Sequence, residues 1–265
     1  MTRWTARAAG VMAFVWLAYA GGSSHVVQPP FERSDVSGTL ILLPGIHNTL
    51  FHLNGFVEMV RLGLPNFVVD RRKWGLPFLG IRNLRAAADN RAFARTVAAD
   101  IAVLRRTQPN APIYLMGYSG GGGVASLVLE ELPDDVALDR LLLIAPAISA
   151  DFEIDMHAAE HVREFVVNFA SRKDLQVGLG TRLFGTIDRK NEYSAGYDGF
   201  DVRSEKLGQW HWRETDRRFG HLGNHISYLG RRWQREFLLP AIDPRVTLNA
   251  LERLWQERRA EVRDE

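Results

Sequence analysis

The sequence predicts an α/β fold in which a mostly parallel sheet carries helices on both faces. Three observations support this prediction. Short apolar runs alternate with longer segments whose apolar residues recur at helical spacing. Several of these runs are continuously apolar, which is typical of strands buried on both faces. A chain of 265 residues, of which 46% are hydrophobic, is also long enough for one sizeable core.

The elements can be placed along the chain from this alternation. The predicted strands are 38–43, 67–70, 113–116, 141–144, 164–170 and, more weakly, 206–212. The predicted helices are 53–62, 85–106, 120–132, one running through Leu229, Trp233 and Phe237, and an amphipathic one at 246–262. Ligands of such sheets bind outside the carboxyl ends of the strands. The loops of interest therefore begin at Pro44, Gly117, Ala145, Ser171 and Glu214.

The N-terminal segment differs from the rest of the chain. Residues 1–20 combine Arg3 and Arg7 with a short apolar run that ends in Ala18-Tyr19-Ala20, which favours a secretory signal or, alternatively, an uncleaved membrane anchor. Residues 21–37 are predicted to be a linker, and residues 38–265 one α/β domain. An insertion rich in glycine and aromatic residues is predicted at 176–204. These features predict a protein that is exported, periplasmic or extracellular, or held at the membrane facing outward.

Charge and cysteine content exclude several classes of function. The 33 Lys and Arg residues nearly balance the 31 Asp and Glu residues, so no nucleic-acid partner is expected. The absence of cysteine excludes disulfides, thiolate metal sites and a cysteine nucleophile.

The most informative stretch is Gly117-Tyr118-Ser119-Gly120-Gly121, which lies between a predicted buried strand and a predicted helix. A serine on such a sharp turn is exposed to substrate, and the glycines allow a close approach of the backbone. The unpaired N–H groups at the start of the helix can stabilise negative charge. Ser119 is therefore the candidate nucleophile.

The other parts of a catalytic site occur in later and earlier loops. The turn at Pro44-Gly45 can present the N–H of Ile46 or His47, which with that of Gly120 would form an oxyanion hole. Asp174 follows the fifth strand and is the candidate acid, with a helix N-cap or a surface charge as its alternative role. The competing acids are Asp188, Asp198 and Asp201. For the base, His225 is preferred and His221 is the second candidate.

These residues, in this order, resemble the α/β-hydrolase superfamily over about residues 36–240. The resemblance implies that Ser119 is the nucleophile, that His225 acts as base and then acid, and that Asp174 orients His225. It also implies an oxyanion hole formed by the N–H groups of Ile46 and Gly120. The gap between Asp174 and His225 is longer than a single helix and strand require, which the insertion at 176–204 would explain.

Two rival motifs are weaker. Gly120-x-Gly122-x-x-Ala125 matches a dinucleotide fingerprint, but no acid ends the next strand, and no Lys-Ser/Thr follows the glycines as a P-loop requires. His157-Ala158-Ala159-Glu160-His161 matches an inverted zinc motif, yet it lacks a third ligand and is interpreted as a solvent-facing polar turn.

The sequence therefore predicts a serine hydrolase that cleaves a carboxylic ester through an acyl-enzyme, with no metal or organic cofactor. An acyltransferase with the same triad and a non-catalytic binding protein of the same fold are the alternatives. The expected substrate is a small ester or a lipid-like molecule. The aromatic residues between the first two loops of the domain, Phe51, Phe56, Trp74 and Phe78, are interpreted as one cluster that hints at an apolar acyl group. Membrane association is expected only through the N-terminal segment.

Overall fold

A six-stranded sheet forms the centre of the computed structural model, which describes residues 27–48, 53–77 and 79–260. Its strands are β1 (Gly38–Leu43), β2 (Phe67–Arg71), β3 (Ile113–Tyr118), β4 (Leu138–Ile144), β5 (Val162–Ala170) and β6 (Leu207–His211). They are ordered β2-β1-β3-β4-β5-β6, and all five pairings are parallel. The predicted parallel sheet is confirmed.

Helices cover both faces of this sheet, as predicted. They are α1 (Asn54–Gly63), α2 (Gly80–Arg85), α3 (Ala87–Thr107), α4 (Gly120–Glu130), α5 (Ile154–His161), α6 (Leu175–Phe184), α7 (Ala195–Asp198), α8 (Arg231–Trp233) and α9 (Leu248–Ala260). Short 3₁₀ segments occur at Glu214–Phe219, His225–Leu229 and Leu239–Ile242, and a π-helical turn occurs at Gln234–Leu238.

Alternate residues of each central strand belong to two separate hydrophobic cores. In β1, Ile41 and Leu43 pack in the core that contains α3, α4 and α5. Leu40 and Leu42 pack in the core that contains α1 and α9. Since side chains point alternately to the two faces of a strand, an all-apolar strand is what a sheet covered on both faces requires.

The predicted helix at 85–106 corresponds to α3, whereas α2 was not predicted, and a break at Ala86 separates the two helices. Two buried asparagines explain the break. The Asn90 side chain donates to the carbonyl of Asn83 at 2.9 Å, an oxygen that the backbone of a continuous helix would occupy. The Asn83 side chain in turn binds both the N–H and the carbonyl of Leu76.

The predicted helix through Leu229, Trp233 and Phe237 is also not continuous. Gly230 is extended, with φ −66° and ψ 123°, and separates the 3₁₀ segment at His225–Leu229 from α8. After α8 the chain widens into the π-helical turn and then tightens into the 3₁₀ segment that contains Pro240. The result is a compact series of turns that buries Trp233 and Phe237 against the sheet.

Part of the predicted N-terminal organisation can be compared with the structure. The predicted signal or anchor at residues 1–20 lies outside the described residues and stays a prediction. Residues 27–37 contain no helix or strand, but Val27 and Phe31 pack against the core beside α1. In the described ranges, no helix is both long and apolar enough to cross a membrane.

A buried arginine joins the sheet to the C-terminal part of the chain. Arg140, on β4, is 1% exposed and lies 2.5 Å from the carboxylate of Glu164. Its guanidinium also donates to the carbonyls of Ala241, Asp243 and Val246 at 2.8–2.9 Å. Four acceptors therefore depend on a single side chain.

We expect Arg140→Met to lower the free energy of unfolding by about 3 kcal/mol or more, because buried carbonyls and a carboxylate lose their donor. Urea unfolding followed by circular dichroism measures the change. Arg163→Met on β5 is the matched control, since that side chain is 45% exposed, and its loss should be below about 1 kcal/mol. Equal losses in the two variants would contradict this role for Arg140.

Candidate active site

Ser119 lies on a strained turn between β3 and α4, at the carboxyl edge of the sheet. Its φ of 57° and ψ of −125° are unusual for a residue with a side chain and cost about 1–3 kcal/mol. Surrounding backbone hydrogen bonds hold this conformation. The Ser119 N–H donates to Ile144 at 2.8 Å, and the Ser119 carbonyl accepts from Ala147 at 3.0 Å. The turn has the strand-to-helix geometry that the sequence predicts for an elbow.

Two glycines of the turn are required by close contacts. A Cβ on Gly121 would lie 2.2 Å from the carbonyl oxygen of Pro44, which is a backbone atom that cannot rotate away. A Cβ on Gly120 would lie 2.3 Å from the Ile46 side chain and 3.0 Å from the Trp74 ring. The loop after β1 is therefore in contact with the start of α4.

The two predicted oxyanion donors lie on these neighbouring segments. The N–H groups of Gly122 and Gly123 bond to the Ser119 carbonyl, at 2.9 and 3.3 Å. Gly120 begins the helix, so its N–H has no intrahelical acceptor. Among the described residues, neither Gly120 nor Ile46 donates a backbone N–H to another group. Both N–H groups therefore remain candidate donors, and an oxyanion hole beside Ser119 stays a prediction.

Side chains from distant parts of the sequence hold the loop after β1. The Trp74 indole N–H donates to Pro44 at 2.7 Å, and the Asn83 side chain donates to Ile46 at 2.8 Å. The Asn48 side chain accepts from the Trp74 N–H at 3.0 Å. This support has no local signature in the sequence, because the partners are 26–37 residues apart.

Asp174 occupies the position predicted for the acid, in the loop after β5, and it is fully buried. Its Oδ2 lies 2.6 Å from Nδ1 of His225. Its Oδ1 accepts the N–H of Val177 at 3.1 Å and so caps the start of α6. Two of the roles that the sequence offered as alternatives, acid partner and helix cap, are present in the structure.

The competing acids have other partners. Both carboxylate oxygens of Asp188 contact Ser149. Asp198 is paired with Arg172 at 2.8 Å. Among the described residues, neither these two carboxylates nor that of Asp201 contacts a histidine in a hydrogen bond or ion pair. Asp174 is therefore the predicted acid that the structure brings to a histidine.

His225 lies beside the elbow as well as beside Asp174. Its ring stacks on that of Tyr118 with the centroids 4.8 Å apart, and the Tyr118 hydroxyl donates to the His225 carbonyl at 2.9 Å. With Nδ1 bonded to the carboxylate, Nε2 remains as the proton acceptor. In the described part of the chain, no hydrogen bond joins Ser119 to His225, a pairing that is often loose without substrate.

Further hydrogen bonds fix the loop that carries His225. Asn224 caps the 3₁₀ segment by accepting the Ser227 N–H at 3.0 Å. The Ser171 hydroxyl, near the end of β5, donates to Gly223 at 2.7 Å. The indole of Trp212 donates to the carbonyl of His221 at 2.8 Å. These bonds join the loops that carry the histidine and the acid.

His221 is in a different environment from His225. It is fully buried among the rings of Trp210, Tyr228 and Trp233. Its Nδ1 accepts the N–H of Gly223 at 3.1 Å, and its Nε2 has no partner among the described residues. Burial, with a further contribution from Arg259, lowers the pKa of His221 to about 3. His221 is therefore neutral above about pH 3, and it makes no hydrogen bond to Asp174 among the described residues.

Tyr118 was not predicted to support the site, although it directly precedes Ser119. Complete burial, and secondarily the Asp174 carboxylate, raise the pKa of Tyr118 well above its usual value. The hydroxyl therefore stays protonated and remains a donor to the His225 carbonyl. Its position one residue before Ser119 was the only signal in the sequence.

The sequence interpretation of residues 157–161 is wrong. Residues 157–161 do not form a solvent-facing turn, because they belong to α5, and His161 is buried with Nδ1 3.0 Å from the Val136 carbonyl. The helix forms since Ile154 and Ala158 share a buried face. Among the described residues, no group of three or more His, Cys, Asp or Glu side chains is placed to hold a metal ion.

The predicted aromatic cluster near the site is not one cluster. Phe56 and Trp74 belong to the two opposite cores of the sheet, and Phe51 and Phe78 lie outside the described residues. Trp74, together with Ile46, is next to Gly120 and gives this side of the turn an apolar wall.

The sheet order and the Ser119 turn define the class of fold. A serine at a strand-to-helix turn of a parallel sheet, followed along the chain by an Asp and then a His in mutual contact, is the arrangement of the α/β-hydrolase fold. The chain has this fold.

Comparisons with known proteins give structural matches alone. No family model and no curated protein sequence matches the chain. Similar solved structures include esterase PE8, with 17% identity, a TM-score of 0.45, and coverage of 82% of this chain and 100% of that one. The RedJ thioesterase of Streptomyces coelicolor, from the prodiginine pathway, has 15% identity, a TM-score of 0.43 and coverage of 84% and 99%. A cutinase-like protein from Cryptococcus sp. has 12% identity, a TM-score of 0.44 and coverage of 83% and 98%.

The low pKa of His221 predicts a loss of stability in acid. Between about pH 6.5 and pH 3 the unfolded chain binds a proton on this ring and the folded protein does not. The free energy of unfolding should therefore fall as the pH falls through this window, by about 1.4 kcal/mol per pH unit from this group.

Urea unfolding at a series of pH values measures this slope. His221→Phe should reduce the slope in this window, whatever its stability at pH 7. The control His47→Gln replaces an exposed histidine and should keep the wild-type slope. An unchanged slope in His221→Phe would contradict the prediction.

Proposed function

We propose that the protein is a serine hydrolase that cleaves a carboxylic ester or thioester through an acyl-enzyme. The observation that carries the proposal is the 2.6 Å contact between Asp174 and His225 beside the strained turn at Ser119. A buried carboxylate bonded to Nδ1 fixes the tautomer of an imidazole whose Nε2 can accept a proton from a serine hydroxyl.

In the proposed reaction, the Ser119 Oγ attacks the acyl carbon while His225 Nε2 takes its proton. The carbonyl oxygen becomes an oxyanion, which the N–H groups of Gly120 and Ile46 stabilise. The tetrahedral intermediate collapses, and the leaving alcohol or thiol takes the proton from His225. Water then attacks the acyl-enzyme with His225 as base again, and this step releases the acid and restores Ser119.

The surroundings of the turn support an apolar acyl group. Ile46 and Trp74 contact the start of α4 beside Gly120, so the acyl carbon would react next to apolar side chains. The proposed substrate is therefore a small ester or a lipid-like ester, as the sequence predicts. Export from the cytoplasm, and membrane association through residues 1–20, stay predictions.

We expect a fluorophosphonate probe to label the folded wild-type protein and to leave Ser119→Ala unlabelled, because the probe reacts with an activated serine. Turnover of a p-nitrophenyl ester should fall by about 10⁴-fold or more in Ser119→Ala. Ser126→Ala, which removes a buried hydroxyl one helical turn away from the elbow, is the matched control and should stay labelled. No labelling of folded wild type would overturn the proposal.

Product analysis separates hydrolysis from the alternative, acyl transfer. Free acid released in buffer supports the hydrolase. Product that forms only after an alcohol acceptor is added would overturn hydrolysis in favour of an acyltransferase that excludes water.

The assignment of the base predicts opposite results for the two histidines. His225→Ala and Asp174→Asn should each lower kcat by about 10³–10⁴-fold, since the first removes the base and the second its orienting acceptor. His221→Phe should keep kcat at pH 7 within about tenfold of wild type, because this ring contacts no proposed catalytic group. Circular dichroism checks that each variant is folded. Equal losses in the two histidine variants would contradict the assignment.

A further inference from the structure

An exposed apolar stripe follows the candidate acid along α6. Leu175, Leu179 and Leu183 recur every fourth residue, and they are 59%, 46% and 71% exposed. The opposite face of the same helix is buried through Val177 and Thr181. The helix therefore packs on the domain with one side and presents leucines to solvent with the other, which is the reverse of an ordinary amphipathic surface helix.

The stripe continues onto a neighbouring helix. Leu79 and Ile81, at the start of α2, are 46% and 50% exposed, and α2 is in contact with α6. Phe184, at the end of α6, is 39% exposed, so both of these contacting helices present exposed apolar side chains in this part of the surface. We call it the α2–α6 surface, and its members are Leu79, Ile81, Leu175, Leu179, Leu183 and Phe184. Large exposed apolar surfaces mark sites of interaction.

The α2–α6 surface lies next to both halves of the candidate site. α6 begins directly after Asp174, which caps it. α2 begins at Gly80, where an added Cβ would lie 3.0 Å from Ile46 and 3.1 Å from His47. A molecule bound to this surface would therefore lie beside the loop after β1 and beside the acid.

The charges on the two helices are of one sign. α2 and α6 carry Arg82, Arg85 and Arg182, all exposed, and neither helix contains an Asp or Glu. A second copy of the chain placed face to face would bring like charges together. An apolar surface that is bordered by arginines matches an anionic bilayer, since acyl chains accept the leucines and headgroups pair with the guanidinium groups.

We propose that the α2–α6 surface docks the protein on an anionic lipid bilayer. The leucines of α6 insert at the boundary between headgroups and acyl chains, and the arginines contact lipid phosphates. Docking in this orientation places the candidate site against the membrane. It is separate from any attachment through residues 1–20, and it requires no catalysis.

Vesicle binding by the full-length Ser119→Ala protein tests the proposal independently of the proposed reaction. Flotation with vesicles of phosphatidylcholine and with vesicles containing about one third phosphatidylglycerol measures the partition coefficient. We expect about a hundredfold stronger binding to the phosphatidylglycerol vesicles, since three arginines near an anionic surface contribute about 1 kcal/mol each. Equal binding to both, or no binding, would overturn the proposal.

Matched double variants in the same background test the leucines. The double variant Leu179→Gln, Leu183→Gln should bind vesicles about tenfold more weakly. It lacks two apolar side chains whose transfer from water into the bilayer would favour binding. Val103→Gln with Met156→Gln removes two residues of similar exposure, 49% and 52%, on α3 and α5 and should leave binding unchanged. Residues 1–20 are intact in both variants. If the protein bound vesicles only through these residues, neither variant would lose binding, and that result would overturn the proposal.

Matched triple variants test the charges. Changing Arg82, Arg85 and Arg182 to Gln should remove the preference for phosphatidylglycerol. The same change at three exposed arginines elsewhere, Arg106, Arg203 and Arg253, should keep it. If both triple variants lost this preference equally, binding would depend only on net charge, and the proposal would be overturned. Ultracentrifugation adds a last check, because a wild-type dimer that the α6 double variant converts to a monomer would assign the surface to self-association instead.

Discussion

The carboxylate of Asp174 makes the two hydrogen bonds on which the candidate site depends. One oxygen caps α6 through Val177, and the other holds the imidazole of His225. The carboxylate is fully buried, so the loss of either partner would leave one of its oxygens without a hydrogen-bond donor. A buried polar atom without a partner destabilises the folded state. The start of α6 and the orientation of the histidine are therefore coupled. A displacement of α6, including one caused by docking, would be transmitted to His225.

The strained turn at Ser119 is stable because its neighbours are fixed from outside the turn. The loop after β1 is held by Trp74 and Asn83, and the loop of His225 is held by Ser171 and Tyr118. Each of these bonds is worth about 1 kcal/mol, which is comparable to the cost of one unusual backbone conformation. The site is thus positioned by side chains that have no proposed role in the reaction.

Much of the architecture could be predicted, because strands buried on both faces are continuously apolar and the chemistry of parallel sheets lies at their carboxyl ends. β1 was predicted residue for residue, and Ser119, Asp174 and His225 lie at the predicted edge. The errors arose where side chains compete with the backbone, as at Asn83 and Asn90, or where packing decides the structure, as for His161 in α5. The support from Trp74 and Tyr118 was not predictable, since it joins residues far apart in the chain.

The four consecutive glycines at the start of α4 also affect the order in which parts of the molecule can fold. Each glycine within a helix costs about 1 kcal/mol relative to alanine, so this segment is a poor helix in isolation. The whole run from Gly120 to Leu129 is buried, and its shape depends on the contact of Gly121 with the carbonyl of Pro44. A chain that has not yet joined β1 to β3 therefore has no formed turn at Ser119. Until the centre of the sheet is assembled, the chain would therefore lack the backbone geometry at Ser119 on which the proposed reaction depends.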